Sequence, residues 1–247
     1  MHNKENIISF YNRRPRNAKG CIGFDDMVFV IEQICKNKPK LLVELGIASG
    51  VSSAGIIYAN KLVKESSKNW ECILYSFDIN DKCYWDKSLE VGYAVKEMLE
   101  SNWKLNWNLI LNSSVIDFEK YFSKNSIDFL FIDANHRHPY PTLDLLFAFS
   151  YLKSNALVCI HDINLPNLGS TSSEYGANNL FYNIDLSKEI DRSSEIPNMG
   201  LLKIEKQQQP NLKQSILDIV FNYKWETNLM KSYLNKLEEE ILKLYKH

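Results

Sequence analysis

Hydrophobic positions along the chain follow two patterns in turn. Short continuous apolar runs are typical of strands that are buried on both faces of a sheet. Runs of this kind predict five strands, at 40–46, 72–79, 107–111, 127–133 and 156–162. All of them have the usual length of a strand and are too short for a typical buried helix.

Between these runs, apolar residues recur every three or four positions, which predicts helices with one apolar face. The predicted helices lie at 49–66, 88–101, 115–122 and 142–153. Strands that alternate with helices across short connections form parallel sheets covered by helices on both faces. We therefore expect a doubly wound, mostly parallel α/β sheet of the Rossmann-like kind.

The alternation becomes weaker after the fifth strand. Residues 163–179 are rich in Ser, Asn and Gly, which predicts a loop or lid over the strand ends. Residues 199–206 predict a late edge strand, and residues 210–246 predict helices. We expect a main domain over 1–206 and an extra helical extension over 207–247.

The C-terminal extension leaves two arrangements open. Apolar residues recur there in alternating four- and three-residue steps, at Met230, Leu234, Leu237, Ile241 and Leu244. Such a helix can dock on its own domain or pair with a second copy in a homodimer. Two heptads are too few to favour a coiled coil, so we favour docking on the domain.

Composition limits the partners and the compartment. The chain has 247 residues, 45% of them hydrophobic and 24% charged, with a formal net charge of -1. This balance favours neither nucleic acid nor a membrane as a partner. We interpret the basic segment 11–20 as a solvated N-terminal arm. Five scattered cysteines without zinc-site spacing, no secretory leader and no apolar run of about 20 residues predict a cytoplasmic protein.

Polar residues follow four of the five predicted strands. In parallel sheets the carboxyl ends of the strands line the crevice that binds ligands. Residues 44–50, Asp78, residues 133–138 and the pair His161 and Asp162 should therefore converge on one crevice. Carboxylates and imidazoles gathered in such a crevice point to function.

The turn after the first strand, "VELGIASGVSS", has two glycines four positions apart, Gly46 and Gly50. Glycines between a strand and a helix let the backbone approach a ligand closely. The turn lacks the GK[ST] ending of a P-loop and, with Ala48 between its glycines, the spacing of a nicotinamide-dinucleotide turn. The chain also lacks the GxSxG of a hydrolase nucleophile. A simple tight turn remains the alternative at this point.

Asp78 ends the second predicted strand. A carboxylate there can accept two hydrogen bonds from hydroxyls of a ligand. Asp81 is the competing candidate, and a turn cap is the alternative role for Asp78. Ser113 and Ser114 follow the third strand at the same edge of the sheet.

Two segments carry a resemblance to a known family. "FIDANHRHPYPTLDL" and "LVCIHDI" resemble the small-molecule O-methyltransferase branch of the class I S-adenosylmethionine (SAM) methyltransferases, related to sugar and macrolide O-methyltransferases. The turn "ELGIASG" is similar to the E-x-G-x-x-x-G turn of that class, with Ala48 in place of the usual middle glycine. The resemblance covers residues 40–206 and implies a seven-stranded sheet. The matching residues of the two segments are Asp133, His136, Asp144, His161 and Asp162.

The resemblance also implies roles for these residues and for the turn. The residues around the amino-acid end of SAM would be Glu44, Gly46, Ala48, Ser49 and Gly50. Asp78 would bind the ribose and Ser114 the adenine, with Asp133 beside the bound SAM.

A divalent metal such as Mg²⁺ is implied by the same resemblance, with Asp133 and Asp162 as ligands. His161 stands where the clearest metal-dependent relatives have an acidic residue, so it is a further candidate ligand or a support for Asp162. His136 would be the general base, aided by Asp133. We expect His138 in an exposed turn before a proline, and we expect Asp144 to be structural, near the start of a helix.

The predicted function is therefore transfer of a methyl group from SAM to a hydroxyl of a sugar, a glycan precursor or another small molecule. An alcohol is a poor nucleophile until a cation or an imidazole weakens its bond to the proton. The alternative from another class is a SAM-binding or scaffold protein without turnover.

Overall fold

The computed structural model describes residues 4–68, 70–100, 106–168, 174–192, 194–206 and 211–244. The strands in these ranges are β1 (Leu41–Leu45), β2 (Ile73–Asp78), β3 (Trp107–Leu111), β4 (Ile127–Ile132), β5 (Leu152–His161), β6 (Ser187–Ile190) and β7 (Met199–Lys203). They form one sheet in the order β3-β2-β1-β4-β5-β7-β6. Strands β1 to β5 pair in parallel, and β7 runs antiparallel between β5 and β6. The predicted seven-stranded, mostly parallel Rossmann-like sheet is confirmed.

Helices cover both faces of the sheet. The α-helices of the described chain are α1 (Lys4–Tyr11), α2 (Phe24–Asn37), α3 (Val51–Ser66), α4 (Tyr93–Met98), α5 (Tyr140–Ala148), α6 (Gly176–Asn183), α7 (Leu212–Asn222) and α8 (Lys231–Leu244). One apolar cluster joins α1 to α4 to the sheet, and a second joins α5 to α8 to the opposite face. This double cover explains why the central strands are continuous apolar runs.

Some element boundaries differ from the prediction. The helix predicted at 142–153 ends at Ala148, because the chain turns and β5 begins at Leu152. The late strand β7 is not at the edge, since β6 pairs outside it. Strand β6 has the mostly exposed sequence SKEI, which carries no apolar signal.

The predicted helix at 88–101 is shorter and corresponds to α4. Parts of three predictions lie outside the described residues: residue 101 of that helix, residues 169–173 of the predicted loop, and residues 210, 245 and 246 of the predicted C-terminal helices.

The N-terminal region is more ordered than the predicted arm. It contains the helices α1 and α2, which our prediction omits. The basic segment 11–20 connects these two helices. Phe10 stacks on Tyr58 of α3 with ring centroids 4.3 Å apart. The Tyr11 hydroxyl donates a hydrogen bond to the Ile22 carbonyl at 3.0 Å. These contacts fix both ends of the basic segment against the domain.

The C-terminal helices pack on the face that carries α5. Helix α7 contacts α5 and α6, and α8 contacts α5 and a 3-10 turn at Val115–Lys120. Tyr233 and Leu237 are the buried apolar side chains of α8. The predicted boundary at 206/207 falls beside residues 207–210, which lie outside the described ranges, so the division stays a prediction. No helix within the described residues is long and apolar enough to cross a membrane.

The turn after β1 leaves no space for a side chain at Gly46. Its φ is +88°, and an added Cβ would lie 2.1 Å from the carbonyl oxygen of Asp133. The positive φ and the Asp133 carbonyl are both backbone features, so rotating a side chain relieves neither of them.

We expect Gly46→Ala to lower the free energy of unfolding by about 2 kcal/mol or more, because strain and overpacking add. Gly55→Ala in α3 is the matched control, since an added Cβ there meets only the flexible side chain of Met27 at 3.1 Å. Chemical denaturation of both variants measures the difference. Equal stabilities would contradict the close approach of the two backbones.

Candidate functional site

A cavity of about 370 Å³ opens at the carboxyl ends of β1, β2, β3 and β4. Five residues predicted to bind the methyl donor line it: Gly46, Ala48, Asp78, Ser114 and Asp133. Each follows or ends a different strand, except that Gly46 and Ala48 share the turn after β1. The topology thus brings these predicted residues to one place.

Asp78 shapes the turn as well as lining the cavity. Its Oδ2 accepts hydrogen bonds from the amides of Ile47 at 3.1 Å and Ala48 at 3.2 Å. Its Oδ1 accepts the amide of Asn80 at 2.9 Å. The competing candidate, Asp81, is not among the residues described as lining the cavity. The structure therefore places Asp78, rather than Asp81, at the cavity.

Glu44 lies behind the wall of the cavity. It is fully buried and accepts hydrogen bonds from the hydroxyls of Ser52 and Ser53 at 2.6 Å each, and of Ser76 at 2.5 Å. Burial raises the pKa of Glu44 to about 7, although these hydroxyls oppose the shift. The contacts link β1, α3 and β2, which is a structural role. A part for Glu44 in donor binding stays a prediction.

Ser49 and Gly50 are also absent from the described lining of the cavity. The Ser49 side chain is buried, and its hydroxyl has no hydrogen-bond partner among the described residues. Gly50 has a φ of +91° and precedes the first residue of α3. Both shape the start of α3, and their assignment to the donor likewise stays a prediction.

Next to the cavity lies an acid–imidazole cluster, defined here as Asp26, Asp133, His136, His161 and Asp162. His136 Nδ1 lies 2.9 Å from Asp162 Oδ2, and His136 Nε2 lies 3.5 Å from Asp133 Oδ1. His161 Nδ1 lies 2.8 Å from Asp133 Oδ1. Asp133 is thus shared between the cluster and the cavity.

The cluster has donors suited to a divalent cation. Asp133, His136 and Asp162 each offer one ligand atom, and these atoms lie within 4.8 Å of one another. Carboxylate oxygens with an imidazole nitrogen suit several divalent metals. His161 does not join this set, because its Nδ1 faces Asp133 and its Nε2 lies 3.4 Å from Asp26. The arrangement favours a supporting role for His161.

The charges in the cluster shift the pKa values of its imidazoles and carboxylates. Burial alone would lower the pKa of His136, but Asp133 and Asp162 outweigh it and raise that pKa to about 10. The same carboxylates raise the pKa of His161 well above its usual value despite burial. Although burial works against it, His136 and His161 hold the pKa of Asp162 well below its usual range. The carboxylates therefore favour the protonated form of both imidazoles in the protein alone.

Two members of the site's surroundings have no counterpart in the sequence analysis. Asp26 comes from α2 and contacts His161. Asn198, just before β7, donates from Nδ2 to Asp162 Oδ1 at 2.7 Å. The antiparallel pairing of β7 with β5 brings Asn198 there, and this pairing gave no short-range sequence signal.

The expected exposed turn at His138 is wrong. His138 is fully buried, and its Nε2 lies 3.3 Å from the Val220 carbonyl oxygen of α7. The C-terminal extension covers this loop, and that cover cannot be read from the local sequence. Asp144 also differs from its prediction, because it lies in the middle of α5 and lines the cavity.

Glu226, from the segment between α7 and α8, joins two loops of the site. Its Oε2 accepts the amide of His138 at 2.6 Å, and both oxygens lie 3.0 Å from the amide of Tyr175. The amide of Gly176 in turn donates to the carbonyl oxygen of His136 at 2.9 Å. Glu226 thereby holds the loop that carries His136 against the start of α6.

Comparison with known proteins gives a family and a fold. Residues 43–163 match the Methyltransf_24 family, described as a methyltransferase domain. No curated protein sequence matches the chain.

Among solved structures, the S-adenosylhomocysteine-bound methyltransferase PaMTH1 of Podospora anserina has a TM-score of 0.55 and 12% identity, over 81% of this chain and 87% of that one. An O-methyltransferase of Bacillus cereus, in complex with S-adenosylhomocysteine, has a TM-score of 0.53 and 11% identity, over 82% and 90% of the two chains. The O-methyltransferase TomG of Streptomyces achromogenes, involved in tomaymycin synthesis and in complex with SAM, has a TM-score of 0.51 and 10% identity, over 81% and 89%. At these identities the likeness shows a shared fold.

The buried Glu44 carboxyl makes stability depend on pH. Its pKa is about 7 in the folded chain and 4.5 for a free side chain, so the folded state binds the proton more tightly. Its contribution to stability is complete below pH 4.5 and is lost as the pH rises through about 7. The difference amounts to roughly 3 kcal/mol.

We expect Glu44→Gln to remove this part of the pH dependence, so that the unfolding free energy of the variant falls less between pH 5 and pH 8 than that of the parent chain, by up to roughly 3 kcal/mol. Urea denaturation across this range measures it. Glu238→Gln, at an exposed position of α8, is the matched control and should follow the parent curve. Parallel curves for Glu44→Gln and the parent would show that Glu44 has no raised pKa.

Loss of the Glu226 carboxylate should release both loops that it joins. We expect the amides of His138 and Tyr175 to exchange roughly tenfold faster or more in Glu226→Gln, because hydrogen bonds to charged groups are among the stronger ones. Hydrogen exchange measured with Glu238→Gln as the control tests this. Unchanged protection at both amides would exclude the clamp.

Proposed function

We propose that the chain transfers the methyl group of SAM to a hydroxyl of a small molecule, because residues 43–163 match a methyltransferase domain family and the chain has the class I methyltransferase fold. One observation carries the proposal: Asp133 lines the cavity and is also part of the acid–imidazole cluster. A donor in the cavity and an acceptor at the cluster would meet at this residue, as in-line transfer requires.

The cavity offers SAM a set of polar groups in a suitable order. The backbone of Gly46 and Ala48 would face the amino-acid end. Asp78 accepts four hydrogen bonds within the protein, so a ribose hydroxyl would replace the side-chain amide of Asn80, which lies 3.2 Å from Oδ1. Ser113 and Ser114, after β3, also line the cavity and would lie toward the adenine. The crystal structures of TomG with SAM and of the Bacillus cereus enzyme with S-adenosylhomocysteine support the choice of donor.

His136 is the proposed general base. It can accept the hydroxyl proton only after it has lost its own. Asp133 and Asp162 are its nearest charged partners, and the resulting pKa of about 10 favours the protonated form. A divalent cation bound by Asp133 and Asp162, with His136 left free as the base, would polarise the acceptor hydroxyl and ease the loss of its proton. Carboxylates that share their charge with a cation attract a proton on His136 less strongly, which brings its pKa toward the range of a useful base.

The proposed acceptor is a sugar, a glycan precursor or another polyhydroxylated metabolite. Carboxylates are strong acceptors for several hydroxyl donors, and the cluster presents three of them beside the cavity. The free cysteines of the described chain fit a reducing compartment, so we place the reaction in the cytoplasm. A homodimer stays a prediction, for which Leu234 and Leu242 of α8 are exposed candidates.

The test is methyl transfer from SAM to a panel of sugars and hydroxylated metabolites, with Mg²⁺ or a chelator. We expect His136→Asn to lower turnover by roughly 100-fold or more, because a general base is lost, while affinity for S-adenosylhomocysteine changes less than about threefold. Asp162→Asn should lower turnover and weaken the dependence on metal.

Asp185→Asn, at an exposed position, is the control for the second variant and should behave like the parent chain. Full turnover by His136→Asn would exclude it as the base. A parent chain that binds S-adenosylhomocysteine but methylates no acceptor would favour the scaffold alternative.

A further inference from the structure

One end of the cavity is built by the C-terminal extension, outside the matched residues 43–163. Met230 and Tyr233 line this end together with Tyr140 and Asp144 of α5. The amide of Met230 donates to the Tyr140 hydroxyl at 3.0 Å, which fixes the start of α8 against α5. Helix α8 is thereby a wall of the cavity as well as a cover of the apolar cluster.

Asp144 is a buried carboxyl at this wall. It is only 2% exposed, and its Oδ1 accepts the Tyr233 hydroxyl at 2.8 Å. A buried carboxyl is costly unless donors satisfy its oxygens. Burial raises the pKa of Asp144 to about 7 even though the Tyr233 hydroxyl opposes the shift, so this partner alone does not offset burial. Since Asp144 lines the cavity, a bound ligand can supply a further donor.

The other nearby carboxylates are engaged elsewhere. Among the described lining residues, Asp78 binds the amides of the glycine turn and Asp133 belongs to the acid–imidazole cluster. Asp117, the carboxylate closest in sequence to the end of β3, accepts the Ser113 hydroxyl at 2.9 Å and Lys120 Nζ at 2.5 Å. Asp144 is therefore the described carboxylate that remains for a ligand at the β3 end of the cavity.

The residues that line this end suit a flat ring. Its apolar walls come from Phe77, Val115 and Met230, and its polar positions come from Ser114 and Asp144. A planar heterocycle that carries an N–H donor would bury its faces on the first group and direct its donor to the carboxylate. SAM carries such a ring, since the 6-amino group of adenine is a donor.

We propose that Asp144, positioned by Tyr233, accepts a hydrogen bond from the 6-amino group of the donor's adenine and so selects a 6-aminopurine over a 6-oxopurine. The proposal rests on the proposed function, because it takes SAM as the occupant of the cavity. Tyr233 is a positioning residue that acts through Asp144. A 6-oxo group would place an acceptor against the carboxylate and lose the hydrogen bond.

Calorimetric titration with S-adenosylhomocysteine and S-inosylhomocysteine, at a pH well above the pKa of about 7 of Asp144 so that its carboxyl is ionised, tests the selection without any turnover. We expect the parent chain to prefer the adenosyl compound roughly tenfold or more, because a hydrogen bond to a carboxylate is lost and two acceptors face each other. In Asp144→Asn the side-chain amide can present either its oxygen or its nitrogen, so the preference should shrink to about threefold or less. Asp185→Asn, at an exposed position, should keep the parent preference.

Tyr233→Phe provides the second variant. It removes the donor that holds Asp144 and should weaken the preference, and it decides the question if Asp144→Asn fails to fold. Hydrogen exchange should also show slower exchange in α8 when S-adenosylhomocysteine is bound to the parent chain.

Different failures separate the two proposals. A folded parent chain that binds neither compound would overturn the proposed function together with this inference. Binding of S-adenosylhomocysteine with equal affinity for the inosyl compound, or an unchanged preference in folded Asp144→Asn, would overturn this inference alone. In that case adenine would be recognised by groups other than Asp144.

Discussion

The close approach of two backbones, at Gly46 and at Asp133, is the constraint on which the site depends. The Asp133 amide donates to the Leu45 carbonyl at 2.9 Å, and the added Cβ at Gly46 would collide with the Asp133 carbonyl. Adjacent parallel strands β1 and β4 enforce this contact, so the glycine turn and the end of β4 cannot separate. The cavity wall and the cluster are therefore held at a fixed distance from each other. Transfer between two bound molecules requires such fixed positions.

The close packing at the end of β4 also determines the charge balance in the cluster. Three carboxylates and two imidazoles lie within hydrogen-bond reach of one another in a largely buried space. Buried charges of one sign must be compensated by partners of the other. Protons on His136 and His161 supply this compensation in the protein alone, and a bound cation could supply it instead. A proton on His136 and a cation bound to the carboxylates therefore oppose each other. The pKa of the base and the binding of the metal thus depend on one another.

The sequence predicts the parts of the site that follow from local pattern and topology. The apolar runs located the five central strands, and the strand-end rule brought Gly46, Asp78 and Asp133 to one cavity. What escaped prediction depends on distant packing. Asp26 arrives on an omitted helix, and Asn198 arrives through antiparallel pairing with β5. Their spacing from the cluster in the chain carries no information until the fold is known.

The C-terminal segment also shows how far prediction from the sequence reaches. Its apolar spacing left docking and dimerisation open. Of the five residues in that pattern only Leu237 is buried, and the other apolar side chain that α8 buries, Tyr233, lies outside the pattern. Spacing alone could not reveal that Tyr233 also reaches a buried carboxyl at the cavity, or that Glu226 binds the loop beyond His136. Both contacts place polar groups of one segment on the two sides of the site. Docking of this segment and order within the site must therefore be energetically coupled, because each stabilises groups that the other requires.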